Sequence, residues 1–347
     1  MAIEYILFFV GLILLVKGSD FFVRSASSIA KRLGVSEFMI GLTLVAVGTS
    51  IPELASAVAA SIKGQGAVVL GNVLGADIAN IGFITGIAAV LAVIKTKKEM
   101  LEMDGYLMLS AVILFFVFIL DLRITRIESA FLLLMYVAYI FFLFSEQSKF
   151  KGKYHFKEFV KYFVLFKYLG ALKNGVAPRL ANKKEKNSAK SRNRFFRGVL
   201  KDFAVMALSG AAIAFGAAYF ITGAVSFANL LKIPGTIIGL TLVSLGTTLP
   251  ELSVTVSAAR KGYGNIALGN IIGSNIANIF LVLGVAGMIS PIPVIKSVLF
   301  FTAPFLILMS ILLLAFIKSH WEIRRIEGIV FLILYVVFIA VLLLKFV

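Results

Sequence analysis

Apolar residues run in long blocks along nearly the whole chain, broken by short clusters of Lys, Arg, Asp, Gly and Pro. A helix needs about 20 apolar residues to cross the hydrocarbon core of a bilayer. Blocks of that order fall at 4–23, 38–62, 67–94, 105–121 and 127–145, and again at 203–228, 236–259, 264–290, 297–317 and 325–346. The pattern predicts an all-α polytopic membrane protein of ten transmembrane helices. The first apolar stretch, Tyr5 to Val16, has no basic segment before it and no A-x-A cleavage site, so it reads as a retained helix and not a signal peptide.

The blocks repeat. The segment from Gly41, GLTLVAVGTSIPELASAVAASIKGQGAVVLGNVLGADIANI, aligns without a gap on that from Gly239, GLTLVSLGTTLPELSVTVSAARKGYGNIALGNIIGSNIANI, at an offset of 198. About half the positions are identical, which shared hydrophobic composition does not produce. The chain therefore divides into a first half, 1–145 (repeat 41–90), a basic linker, 146–201, and a second half, 202–347 (repeat 239–288). Five spans per half is an odd number, so the second copy enters the membrane in the opposite sense.

Charge tests this topology independently. With the linker cytoplasmic, the same side holds Arg24, Lys31 and Arg32, then Lys95, Lys97 and Lys98, then Arg260 and Lys261, then Lys318, Arg324 and Arg325. The other side holds only Lys63, Arg123, Arg126, Lys232 and Lys296. The positive-inside asymmetry agrees with two inverted five-helix repeats and puts both termini outside the cell membrane. Inverted repeats are a common architecture of alternating-access carriers.

The net charge of +17 is mostly a property of the linker, since 16 of the 34 Lys and Arg lie between Lys149 and Lys201. A basic cytoplasmic face accounts for that distribution, and no nucleic-acid partner is expected. The part from Lys183 to Arg197 is polar and poor in aliphatics, so mobility is expected there. The part from Phe156 to Leu172 mixes aromatic and aliphatic residues with Lys, as in an amphipathic helix on the inner leaflet. The linker reads either as a solvated anchor or as a lipid-sensing, regulatory element. There are no cysteines, which excludes thiol chemistry, and the two histidines, His155 and His320, lie apart in basic loops, so no His-based zinc site is expected.

The chemistry concentrates at GTSIPE (Gly48 to Glu53) and GTTLPE (Gly246 to Glu251). Pro52 and Pro250 each remove a backbone donor and break or kink the helix. An acid follows each break near mid-span, where an unpaired carboxylate is costly and functional use is the default reading. Thr49, Ser50, Thr247 and Thr248 put four hydroxyls beside freed carbonyls. Each repeat then adds a second helix, GNVLGADIAN (Gly71 to Asn80) and GNIIGSNIAN (Gly269 to Asn278), with glycines every four residues for close packing. Asn72 and Asn270 read equally as packing glue or as ligands, whereas Asn80 and Asn278 read better as ligands. Oxygen-only donors carrying a charge near −2 suit a hard cation such as Ca²⁺, and alkali ions fit the same oxygens.

These paired motifs resemble the α-repeats of the calcium/cation antiporter superfamily, which holds the sodium/calcium exchangers of prokaryotic and archaeal type. The resemblance implies Ca²⁺ extrusion against inward Na⁺ from a central diamond of ligands on helices 2, 3, 7 and 8, with helices 1 and 6 sliding past the core. By position the implied ligands are Thr49, Ser50, Glu53, Asn80, Thr247, Thr248, Glu251, Ser274 and Asn278. Two departures stand out. Asn278 occupies a position that is Asp in several sodium/calcium exchangers, and Ala76, followed by Asp77, replaces a small hydroxyl residue. The proton-coupled calcium exchangers of the superfamily also lack that acid, so H⁺ is the alternative counter-ion. Asp77 is either an additional, relocated carboxylate of the site or an ionised group in a polar pocket between helices. Asp20, beside Lys17 and Arg24, reads as one member of a structural ion pair.

A cation channel is a weaker reading, because two central acids in inverted repeats suit a carrier better than a pore. A membrane hydrolase lacks its nucleophile, so no enzyme is expected. The transported ions, Ca²⁺ with Na⁺ or H⁺, and the lipid bilayer are the expected partners, with no cofactor and no obligate protein partner.

Overall fold

At membrane depth a backbone has no water to bond, so the apolar blocks satisfy their own hydrogen bonds as helices. The computed structural model describes residues 2–33, 36–146, 156–168, 189–230 and 246–346. The first half contains α1 (Ala2–Leu33), α2 (Glu37–Thr49), α3 (Ile51–Ile62), α4 (Gly66–Leu91), α5 (Leu101–Asp121) and α6 (Arg126–Glu146). A short helix α7 (Phe156–Val164) follows. Then come α8 (Ala189–Leu230), α9 (Leu249–Arg260), α10 (Gly264–Ile289), α11 (Val298–His320) and α12 (Arg325–Phe346). Among the described residues eight helices are long and apolar enough to cross a bilayer, and the bent pair α2–α3 makes a ninth. Of the span predicted at 236–259, residues 236–245 lie outside the described residues, and α9 holds 249–259.

Four two-residue strands fix which loops share an end of the bundle. They are β1 (Ile94–Lys95), β2 (Arg123–Ile124), β3 (Ile292–Pro293) and β4 (Glu322–Ile323). β1 pairs antiparallel with β4, and β2 with β3. β1 and β2 flank α5, so the two pairs lie at opposite ends of that helix. β1 and β3 are equivalent at the offset of 198, yet each pairs at a different end. The Lys95–Lys98 and Arg324–Arg325 clusters thereby meet at one end, and Arg123 and Lys296 sit at the other.

The buried centre is α4 and α10, with 78% and 83% of their apolar windows buried within the protein. α2 crosses α10 where glycines remove the side chains between them. A Cβ on Gly41 would lie 2.9 Å from the carbonyl of Ile266, and one on Gly273 would lie 2.6 Å from that of Leu42. Outside this centre α1 and α8 form a pair of their own. A Cβ on Gly216 would stand 2.9 Å from the backbone nitrogen of Leu15, so these two backbones also touch. Asp202 ties the pair at its basic end, accepting from Ser28 Oγ and Arg32 Nε at 2.6 Å each.

Two linker expectations meet the structure differently. Residues 189–197, expected to be mobile, form the first turns of α8, which also runs through the boundary drawn at 201/202. Ala, Lys and Arg are good helix formers, and extending an existing helix avoids the cost of a new nucleus. Residues 183–188 lie outside the described residues. The amphipathic stretch does form α7, but its apolar face docks on protein. Phe159 is buried against Tyr139 and Phe142, with ring centroids at 6.2 and 5.6 Å. Of the predicted 156–172 stretch, 169–172 lie outside the described residues.

Candidate functional site

The two Pro-Glu motifs break their helices in the same way. Ser50 (φ −83, ψ 6) and Thr248 (φ −89, ψ 0) occupy equivalent positions, each just before a new helix with Pro near its start. Because Pro52 has no N–H, the carbonyl four residues back, on Gly48, loses its helical donor, and Pro250 does the same to Gly246. The axis turns by 44° between α2 and α3. Glu53, just past this turn, and Glu251, just past the break at Thr248, are both inside, each 1% exposed.

The breaks are buttressed from the neighbouring helix. Asn72 Nδ2 donates to the carbonyl of Glu53 at 3.2 Å, and Asn270 Nδ2 to that of Glu251 at 3.5 Å and to Thr255 Oγ1 at 3.0 Å. These two asparagines therefore brace the glutamate backbone, with their amide nitrogens committed to it. Contacts between the halves are crosswise. Ser50 Oγ reaches Glu251 Oε1 at 3.5 Å, Thr49 Oγ1 donates to Asn270 Oδ1 at 3.1 Å, and Thr247 sits against Glu53. Thr248 is buried at the break itself.

One layer on, α4 and α10 exchange polar partners. Asn80 Nδ2 donates to Asn275 Oδ1 at 3.0 Å, and Asn278 Nδ2 donates to Asp77 Oδ1 at 2.9 Å. Both Asn80 and Asn278 open a π-helical turn (Asn80–Ile84 and Asn278–Val282), a widening often found at functional sites. Thr85 Oγ1 donates to the Asn80 carbonyl at 2.8 Å. Asp77 is fully buried, close enough to Glu53 for their charges to interact, and pairs with Asn278. Among the described residues, however, no three acidic or histidine side chains converge tightly enough to hold a metal on their own.

Buried oxygens without a hydrogen-bond partner collect here: both of Glu53, Oε2 of Glu251, Oδ2 of Asp77, Oδ1 of Asn80 and Asn278, and Oγ of Ser274. Leaving a buried carboxylate unpaired costs on the order of several kcal/mol. Seven such atoms, six of them pure acceptors, form an oxygen set of the kind a cation can satisfy.

Sequence reasoning did not single out Asn275 and Thr255. Asn275 was legible through the offset of 198, which sets it opposite Asp77. Asp20 does form an ion pair, but with Lys261, which caps the C-terminus of α9, and not with Lys17 or Arg24 on its own helix; Ser257 Oγ also donates to it at 2.7 Å. Beside this contact a cavity of about 600 Å³ opens between α1, α9 and α4, its lining including Val16, Ser19, Asp20, Ile87, Leu252 and Lys261. Leu252 adjoins Glu251 in sequence, so the cavity reaches the helix that carries one of the two buried acids.

Known proteins match this arrangement along its length. The family model described as sodium/calcium exchanger protein fits residues 3–145 and again 201–344. The chain is 52% identical over 344 residues to the sodium/calcium exchanger MaX1 of Methanosarcina acetivorans, covering 98% of both. It is 32% identical to an uncharacterized membrane protein of Methanocaldococcus jannaschii, covering 96% of both. A solved structure of the sodium-calcium exchanger NCX_Mj, soaked with 10 mM Na⁺ and zero Ca²⁺, superposes with a TM-score of 0.74 at 32% identity, covering 98% of this chain and 99% of that one. A family model that fits both halves, and relatives that align end to end, lead to one conclusion: this chain belongs to the sodium/calcium exchanger family.

Proposed function

We propose that this protein exchanges Ca²⁺ for Na⁺ across the cell membrane by alternating access at one central site shared by Glu53 and Glu251. The observation that carries this reading is the set of buried, unpartnered oxygens where the halves meet. Two carboxylates match the charge of one Ca²⁺. Thr49, Ser50, Asn80, Thr247, Thr248, Ser274 and Asn278 complete an oxygen shell of the kind Ca²⁺ takes. Na⁺ uses the same oxygens, so the two ions exclude one another. An empty site leaves uncompensated carboxylates at membrane depth, which disfavours crossing without an ion and couples the two fluxes.

The fold is proposed as ten helices in two inverted five-helix repeats. The exchange of strand partners, β1 with β4 and β2 with β3, supports this, because equivalent loops then lie at opposite ends. With the lysine-rich end inside, the linker 146–201 is cytoplasmic and both termini are extracellular. The helix pair α1–α8 is the moving part, and the cavity beside Asp20 and Lys261 is the inner approach to the site.

The neutral Asn278 keeps H⁺ as the alternative counter-ion. Uptake of ⁴⁵Ca²⁺ into proteoliposomes discriminates the two. An outward Na⁺ gradient is expected to drive uptake at least tenfold above an equal outward H⁺ gradient. Uptake driven by the H⁺ gradient alone would transfer the coupling to protons, and uptake needing neither gradient would indicate a channel.

A further inference from the structure

Four polar side chains interlock between α4 and α10, and their hydrogen-bonding inventory fixes which way each amide points. The assignment starts from two groups that only accept, a backbone carbonyl and a carboxylate. The carbonyl of Asp77 accepts Nδ2 of Asn275 at 3.3 Å. That turns Oδ1 of Asn275 toward Asn80, whose Nδ2 it accepts at 3.0 Å. Asn80 then has its own Oδ1 left over, buried and unpartnered. On the other side the Asp77 carboxylate accepts Nδ2 of Asn278 at 2.9 Å, and Oδ1 of Asn278 is left buried and unpartnered in turn.

The same exchange thus occurs twice. Positions 77 and 275 are equivalent at the offset of 198, as are 80 and 278. Each member of the first pair takes the NH₂ group of an amide from the opposite half. Asp77 does not close a three-acid cage with Glu53 and Glu251, so its geometry serves the amide more directly than an ion. A rotated amide would turn its NH₂ toward the cation, losing one ligand and adding repulsion. We infer that Asp77 and Asn275 are positioning residues, which hold Asn278 and Asn80 with their carbonyl oxygens toward the transported cation. This rests on the exchange reading above and adds to it what orients two of the ligands.

Comparing Asp77→Asn with Asp77→Ala separates orientation from charge. Both remove the charge, but Asn keeps an acceptor for Nδ2 of Asn278. The apparent KM for Ca²⁺ in proteoliposomes is expected to be at least tenfold higher for Ala than for Asn, with a smaller difference in kcat. In an Asn278→Ala background that gap is expected to vanish, because no amide is left to orient. Asn275→Ala is likewise expected to raise KM several-fold alone and to add little to Asn80→Ala. Such non-additivity is what a residue acting through another produces. Equal KM values for the two Asp77 variants, or effects that multiply in the Ala backgrounds, would overturn the assignment. If Asp77→Ala does not yield monodisperse protein, the Asn275 and Asn80 cycle carries the test alone. If the wild type itself exchanges no Ca²⁺ for Na⁺, the function reading fails separately, and the same variants are compared by Ca²⁺ binding to the purified protein.

Discussion

The central helix α10, packed against the acid-bearing breaks, and the outer helix α8 are equally apolar but differently placed. In α10, 83% of the apolar window is buried within the protein, whereas in α8 the share is 28%. Around α10 the glycines admit α2 so closely that backbones meet on several sides, and the asparagine network ties the layers together. The pair α1–α8 also has glycines at its interface, but they face each other, and its outer surface faces lipid. Its named polar ties to the rest are few: Ser27 to Glu37 at 2.6 Å, and Asp20 to Ser257 and Lys261. On the proposed exchange mechanism, the first region keeps a coordination geometry while the second shifts as a unit without unpacking it.

The largest expected effect sharpens the role of the first region. Glu53→Gln or Glu251→Gln should each lower Na⁺-driven Ca²⁺ flux by about 100-fold or more, since losing one buried charge partner costs roughly 3–5 kcal/mol. Membrane insertion and monodispersity should be retained, and near-normal flux in either variant would break the account. Next come the glycines. Gly273→Val puts atoms where the Leu42 carbonyl would be 2.6 Å from a Cβ, so α2 and α10 must part, and little folded protein is expected in detergent. Gly216→Ala meets Leu15 nitrogen at 2.9 Å, but α8 can shift toward lipid, so a folded protein with Tm lower by only a few degrees is expected. Equal damage from both would remove the contrast between the regions.

The absence of cysteine gives a clean background for a third test. Asp20→Cys with Ser257→Cys, bridged by a short bifunctional thiol reagent, ties α1 to α9. Flux is expected to stop and to return on reduction, while Ca²⁺ binding persists; unchanged flux in the bridged protein would mean that α1 does not move relative to α9. The smallest effect is electrical. With the site's charge supplied by Glu53 and Glu251 and Asp77 holding the Asn278 amide, Asp77→Asn should leave the reversal potential at fixed Na⁺ and Ca²⁺ gradients unchanged. A shifted value would mean that Asp77 counts in the transported charge.

Much of this was legible because the chain states its site twice. The offset of 198 marked the broken helices, and proline chemistry put the breaks at Pro52 and Pro250; the backbone leaves helical geometry just before them, at Ser50 and Thr248. Other features depend on which helices face one another, which one helix's pattern does not reveal. Asn72 and Asn270 could not be told from ligands until their amides were seen on the glutamate carbonyls. Asp20 found its partner 241 residues away and not on its own helix. The start of α8 at Ala189 was hidden by a basic composition that suits a mobile linker and a helix extension equally.

The central claim is that both halves build one site. Calorimetric titration of Ca²⁺ into the purified wild type, Glu53→Gln and Glu251→Gln proteins tests it most directly. The account predicts about one Ca²⁺ per chain, displaced by Na⁺, and loss of that binding in each single variant. Two Ca²⁺ per chain, with each variant losing only one of them, would contradict it.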